Sequence, residues 1–107
     1  MITLHDAIAT GYYIGMIKSF ACQDTEAMYG GARIAKFVNI ETVAMRKLAM
    51  LNRAGCLNDL RIPPNNRLEA LKGSRKGQWS VRINDQWRLG FIWTGYNAES
   101  VEIIDYH

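Results

Sequence analysis

The spacing of apolar residues in the last third of the chain constrains the fold most strongly. Nine apolar residues between positions 79 and 103 have odd numbers. Successive side chains of a β-strand point to opposite faces, so this parity places all nine on one face of a sheet. We expect strands over about 78–83, 86–94 and 100–105. The nine residues are Trp79, Val81, Ile83, Trp87, Leu89, Phe91, Trp93, Val101 and Ile103.

The same parity restricts the loops between the strands. Cross-strand partners share a face, so each connecting loop must hold an odd number of residues. A three-residue loop over 84–86 meets this condition and pairs Arg82 with Arg88. If 96–98 forms the next loop, Arg88 lies opposite Tyr106. A slip of one residue would bury the arginines, so we expect a cationic and phenolic surface opposite the core.

Shorter elements are expected upstream. Residues 17–21 alternate like a strand, and 26–29 predict a short helix ended by two glycines. A longer helix is expected from 40 to about 54, with Asn39 as its N-cap. Further expected elements are a loop over 62–66, a short strand over 67–71 and a turn over 72–77.

The charge distribution points to a phosphate-rich partner. A chain of 107 residues with a formal net charge of +3 suits one small domain. Residues 61–88 hold seven basic and two acidic side chains, a cluster typical of nucleic-acid binding. A basic and apolar stretch begins at Met16, so 1–15 are expected to be an N-terminal extension of a domain over 16–107. No membrane span or secretory signal is recognisable, which favours a cytoplasmic protein.

Several catalytic devices are missing from the sequence. It contains no GxxxxGK phosphate loop and no GxSxG nucleophile elbow. Cys22 and Cys56 stand in no metal-binding pattern and are expected to be buried, reduced thiols. With His5 and His107 as the two histidines, we expect neither a metal site nor a cofactor.

Basic and phenolic residues remain as candidates for chemistry. Metal-free cleavage of RNA through its 2′-hydroxyl needs a proton acceptor, a proton donor and positive charge. Arg88 suits stabilisation of a dianionic phosphorane. Lys72, Tyr106 or His107 would then move the protons. A passive basic binding surface explains the same pattern equally well.

Four short motifs distinguish the C-terminal half. They are L-K-G at 71–73, G-Q-W-S at 77–80, W-R at 87–88 and D-Y-H at 105–107. Together with M-I-K-S-F at 16–20 and R-K-L-A-M-L at 46–51, they resemble the HigB-type toxins. These toxins belong to the RelE-like group of bacterial toxin–antitoxin systems. The resemblance covers residues 16–107.

The resemblance implies a fold, an activity and partners. The fold is α+β and RelE-like, with two N-terminal helices packed on a curved, mainly antiparallel sheet of four to five strands. The activity is that of a ribosome-dependent, metal-independent endoribonuclease, which cuts mRNA in the A site of the 70S ribosome and halts translation. A HigA-type helix-turn-helix antitoxin would neutralise the toxin, and operator DNA would be bound only through that antitoxin.

The resemblance also assigns site residues. The family's active-site positions correspond here to Lys72, Arg88 and Tyr106. Some members carry a histidine where this sequence has Glu69, so a base at that position would be a carboxylate. Further expected contributors are His107 and Asp105, and the residues expected to bind rRNA and mRNA phosphates are Arg75, Lys76 and Arg82.

Two other functions remain as alternatives. The same superfamily includes ParE-like toxins, which inhibit DNA gyrase without cutting RNA. The set of Lys72, Arg88 and Tyr106 favours the nuclease over that alternative. The second alternative is a passive basic RNA-binding module.

Overall fold

The computed structural model describes residues 15–106 of the chain. The proposed extension over 1–15, apart from Gly15, and the terminal His107 lie outside the described residues. Two helices precede a four-stranded antiparallel sheet with the order β1-β2-β3-β4, which confirms the α+β class. The helices are α1 (Gln23–Tyr29) and α2 (Glu41–Arg53), and the strands are β1 (Glu69–Ala70), β2 (Trp79–Arg82), β3 (Trp87–Trp93) and β4 (Ala98–Asp105).

The predicted core face of the sheet is confirmed. Leu89, Phe91 and Val101 are fully buried. The three tryptophans pack against the same core, and the edge of the Trp87 ring meets Phe37 at a centroid distance of 5.5 Å. Fully burying a large apolar side chain contributes about 1.5–3 kcal/mol, so this face dominates the stability of the fold. The other buried members of the odd-numbered set are Val81, Ile83 and Ile103.

Helix α2 covers this face with an apolar side of its own. Ala44, Leu48 and Leu51 recur at helical spacing and are fully buried. The helix begins at Glu41 after Ile40, which makes no side-chain cap, so the prediction of an Asn39 cap is wrong. Its first turn is held instead by the Ala44 amide, which donates to the Ile40 carbonyl.

The register of β3 and β4 differs from the prediction by two residues. Arg82 faces Arg88 across the first hairpin, as expected. Across the second hairpin, however, Arg88 faces Ile104 rather than Tyr106. Tyr106 lies beyond the end of β4. The predicted row across three strands is therefore incomplete at its β4 position.

The position of the second loop and an unforeseen bulge together cause the difference in register. The second loop is 94–97, not 96–98, because Ala98 already pairs with Trp93. This four-residue loop reverses the parity of β4. The register then shifts between Gly90 and Ile92, where Ser100 adopts a left-handed φ of 52°. An extra residue on β4 restores the core-facing parity, as a β-bulge does.

Residues 17–21 do not form the predicted strand. They run parallel to β4 but make two isolated bridges, Ile17 with Ala98 and Phe20 with Val101. The bulge lies between these bridges, so the ladder is interrupted there. The Ser19 hydroxyl instead accepts a 2.9 Å hydrogen bond from the Ser100 amide.

Three smaller findings concern helix α1, the two cysteines and membrane-spanning helices. Helix α1 begins three residues earlier than expected, at Gln23. Cys22 is half-buried and Cys56 is exposed, so the prediction of two buried thiols is wrong. No helix among residues 15–106 has the length and apolarity needed to cross a membrane.

Candidate functional site

Arg88 is buried, although the sequence predicts it at the surface. It is 6% exposed and lies near the start of β3, on the face opposite the tryptophans. Its Nε donates a 2.6 Å hydrogen bond to the Ser80 hydroxyl, and its Nη2 donates to the Arg67 carbonyl at 2.5 Å. These two acceptors explain why Arg88 can be buried, because hydrogen bonds from its N–H groups offset the cost of removing the charge from water.

The strand pattern and one unusual turn place these two acceptors beside Arg88. Ser80 is paired with Gly90 in the β2–β3 ladder, two residues along from the Arg82–Arg88 pair, and so faces the same side as Arg88. Arg67 follows the short 3₁₀ turn Pro64–Asn66 and has a left-handed φ of 46°. Its carbonyl is thereby available to Arg88.

Burial and nearby charges act on Arg88 in opposite directions. Burial lowers its pKa, whereas Glu69 and Tyr106 raise it. The neighbouring cations Arg82 and Arg67 add to the lowering, and the outcome is a pKa below the usual arginine value. An arginine nevertheless keeps its proton at neutral pH. The site therefore contains a permanent positive charge in a partly dehydrated environment, where it acts on a developing negative charge more strongly than in water.

Glu69 and Tyr106 contact the guanidinium from the solvent side. The Glu69 Oε1 atom is 3.6 Å from Arg88 Nε. The Tyr106 ring centroid is 5.5 Å from Arg88 Cζ, a cation–π distance. The Tyr106 amide donates to the Gln86 carbonyl at 2.6 Å, which anchors the chain beyond β4. Arg88 and Tyr106 thus meet diagonally, despite the difference in register.

Two clefts meet at Glu69 and Tyr106, which line both. Each cleft has a volume of about 290 Å³. The first, here called the Lys72 cleft, is also lined by Ala70, Leu71, Lys72 and Arg75. The second, here called the Arg88 cleft, is also lined by Arg67, Arg82, Asn84, Asp85 and Arg88.

The residues expected to bind RNA occupy different environments. Arg75 Nη1 forms a 2.6 Å ion pair with Glu102, and Arg82 Nη2 forms a 2.5 Å ion pair with the fully exposed Asp85. Lys76 is exposed in the turn before β2 and lines neither cleft. RNA contact by these three residues stays a prediction, and the position of His107 lies outside the described residues.

Two site features, the Ser80 hydroxyl and the Arg67 carbonyl, were missed by sequence reasoning, and a third was identified only in part. Ser80 shares the even-numbered face of Arg82 and Arg88, so its place beside Arg88 was implicit in the parity. Glu69 was considered only by comparison with relatives. No feature of the sequence predicts the contact of the Arg67 carbonyl with Arg88, because this contact depends on a backbone dihedral angle rather than on the side chain. Among residues 15–106 no group of three possible metal ligands is present.

Comparisons with known proteins identify the family of the chain. The family described as "RelE-like toxin of type II toxin-antitoxin system HigB" matches residues 27–107. Toxin HigB-1 of Vibrio cholerae is 51% identical over 55 residues, which are 51% of this chain and 58% of that protein. An uncharacterized protein of Haemophilus influenzae is 42% identical over 53 residues, 50% of this chain and 52% of that protein. The chain thus spans a little over half the length of these curated relatives, and the resemblance seen in the four motifs is confirmed.

Proposed function

The chain belongs to the HigB family of RelE-like toxins of type II toxin–antitoxin systems, and on that premise we propose that it is a ribosome-dependent mRNA endoribonuclease that inhibits translation. The observation that carries the proposal is the buried guanidinium of Arg88, held by Ser80 and the Arg67 carbonyl beside two clefts rich in cationic side chains. The relevant domain is residues 16–107.

The proposed reaction uses the substrate's own 2′-hydroxyl as the nucleophile. Its oxygen forms a bond to the adjacent phosphorus while the bond to the 5′-oxygen breaks. The products are a 2′,3′-cyclic phosphate and a 5′-hydroxyl. The pentavalent intermediate carries extra negative charge, which Arg88 stabilises. Within residues 15–106 the hydrogen bonds of Arg88 engage Nε and Nη2, so Nη1 is the donor proposed for the phosphate oxygen.

Two protons must move in this reaction. A base takes the proton from the 2′-hydroxyl, and an acid gives one to the departing 5′-oxygen. Lys72, Tyr106 and His107 are the residues proposed for these two roles. Glu69 is a further candidate for the base, because it lines both clefts and is a carboxylate next to Arg88. No metal ion takes part in this scheme.

The proposed partners follow from the family and the charge pattern. Arg75, Lys76 and Arg82 would bind phosphates of mRNA and rRNA on the 70S ribosome. A cognate HigA-type antitoxin with a helix-turn-helix would neutralise the toxin in the cytoplasm and bring it to operator DNA. The ribosome would orient the substrate, since correct placement of reacting groups supplies a large part of the rate.

Mapping RNA ends on purified ribosomes tests the proposal. Ribosomes carrying a defined mRNA are incubated with the wild-type protein or with Arg88→Ala, and the 5′ ends are located by primer extension. We expect wild-type cuts at positions within the A site, with 5′-hydroxyl ends, and little cutting of the same mRNA without ribosomes. An mRNA that stays intact on ribosomes, or Arg88→Ala that cuts as fast as wild type, would refute it.

A further inference from the structure

A buried lysine outside the two clefts is connected to Arg88 through the turn before β1. Lys47 lies on α2 and is 6% exposed, which is unusual for a lysine. Its Nζ donates a 2.5 Å hydrogen bond to Oδ1 of Asn66. Within residues 15–106 no carboxylate forms an ion pair with Lys47. The lysine is therefore held by an amide rather than by an opposite charge.

The Asn66 side chain binds the backbone of the segment that precedes it. The side chain is 1% exposed, and its Nδ2 donates to the carbonyls of Leu60 at 3.1 Å and Ile62 at 3.4 Å. With Lys47 on Oδ1, both ends of this buried amide are hydrogen-bonded, as buried polar groups require. Asn66 ends the turn Pro64–Asn66 and directly precedes Arg67.

Arg67 depends on such support. Its φ of 46° lies in the left-handed region, which side chains other than glycine adopt reluctantly and keep only when the surroundings hold them there. In this conformation the Arg67 carbonyl accepts the Nη2 hydrogen bond of Arg88. A continuous series of contacts therefore runs from α2 through Asn66 and Arg67 to the guanidinium.

We propose that Lys47 is a positioning residue, which fixes the direction of the Arg88 guanidinium through Asn66 and the Arg67 carbonyl. The inference rests on the proposed catalytic role of Arg88. A lysine at this place opposes folding, since burial lowers its pKa, with further lowering by Arg46 and Arg82. An apolar side chain of similar length would avoid that cost, which favours a functional reason for the lysine.

The test compares Lys47→Met with the matched surface variant Lys36→Met. Methionine keeps most of the length of lysine but cannot donate to Asn66. The Nε–Hε signal of Arg88 in a ¹⁵N NMR spectrum, assigned by its loss in Arg88→Lys, reports the position of the guanidinium. We expect this signal to shift and to exchange faster with water in Lys47→Met. We also expect the single-turnover cleavage rate to fall by about tenfold to 100-fold, at an unchanged half-saturating ribosome concentration.

The outcomes separate this proposal from the proposed function. An unchanged Arg88 signal in folded Lys47→Met overturns the positioning role, whatever the cleavage rate. A shifted signal with no wild-type cleavage refutes the nuclease and supports the positioning. Lys47→Arg keeps a donor and is expected to retain the wild-type signal and rate. If Lys47→Met does not fold, Asn66→Ala is measured in the same two ways, with the same criteria.

Discussion

A single buried cation, Arg88, connects the fold to the proposed chemistry. Its charge is separated from bulk water, and the Ser80 hydroxyl and the Arg67 carbonyl accept hydrogen bonds from its Nε and Nη2. The planar guanidinium reaches both acceptors at once, which the single ammonium group of a lysine does not. The orientation of Arg88 is thus set before any substrate arrives, as electrostatic stabilisation of a transition state requires.

The hydroxyl of Tyr106 can be separated from its ring by mutation. If the hydroxyl transfers a proton, Tyr106→Phe should slow cleavage by about 100-fold or more. The ring would still stack on Arg88, so the protein should fold normally. Single-turnover cleavage on ribosomes measures the effect. The matched control is Tyr96→Phe at the exposed β3–β4 loop, and equal rates for Tyr106→Phe and wild type would exclude the proton role.

The buried Lys47 should give the stability a recognisable pH dependence. Burial lowers its pKa in the folded state, so its charged form opposes folding. That cost disappears as the pH rises from the lowered pKa towards the ordinary lysine value of about 10.4. The unfolding free energy of wild type relative to Lys47→Met should therefore increase as the pH rises towards the ordinary lysine pKa. Urea titrations at several pH values test this, and a flat or falling difference would contradict it.

Only part of the site was predictable from residue types. Parity alone placed Arg82 and Arg88 on one face, because strand periodicity is a local property. The burial of Arg88 was not predictable, since it depends on the turn at Arg67 and on the approach of Glu69. The burial of Lys47 was not predictable either, because its hydrogen-bond partner Asn66 is 19 residues away in the sequence.

Among the secondary-structure elements, the sequence predicted which side chains of the β-sheet face the core better than it predicted which residues pair across the strands. The face of each strand follows from the alternation of its own residues. The pairing of β3 with β4 depends on loop length and on the bulge at Ser100, which local polarity does not reveal. The loop has an even number of residues and the bulge adds one residue to β4. Each of these features reverses the face to which the β4 side chains point, so together they leave it unchanged. The prediction of the core-facing residues was therefore correct, although the predicted β3–β4 residue pairs were wrong.

The bulge can be tested by substitution at Ser100. A β-branched residue is strained at a φ of 52°, so Ser100→Val should lower the unfolding free energy by about 1–2 kcal/mol. Ser100→Gly accepts the same φ and should remain within about 1 kcal/mol of wild type. Denaturant titrations give both values. If valine is tolerated as well as glycine, the left-handed bulge is not needed for the register.

For RNA binding by the molecule as a whole, the net charge matters less than which cationic side chains already form ion pairs. Two of the three cations expected to bind RNA are already in ion pairs, Arg75 with Glu102 and Arg82 with Asp85. Phosphates would have to compete with these carboxylates, whereas Lys72 and Lys76 are exposed. In the proposed function, the charge excess of +3 guides the approach to RNA, and the residues around Arg88 perform the chemistry.

Expression in bacteria distinguishes the proposed function from its alternatives. Induced expression of the protein should arrest growth and produce cleaved transcripts. Coexpression of the neighbouring antitoxin gene should restore growth. Northern blots and a DNA-damage reporter measure the two cellular outcomes. Arrest with intact transcripts and induced DNA damage would favour a gyrase inhibitor instead. Harmless overproduction would favour a passive binding module.

The most direct measurement is the single-turnover rate of mRNA cleavage on programmed ribosomes by Arg88→Lys. Its matched control is Arg33→Lys, the same exchange at an exposed position before α2. Lysine keeps the charge but loses the fixed geometry, so Arg88→Lys should be slower than wild type by about 100-fold to 1,000-fold, while Arg33→Lys should match wild type. Cleavage by Arg88→Lys at the wild-type rate would contradict the account.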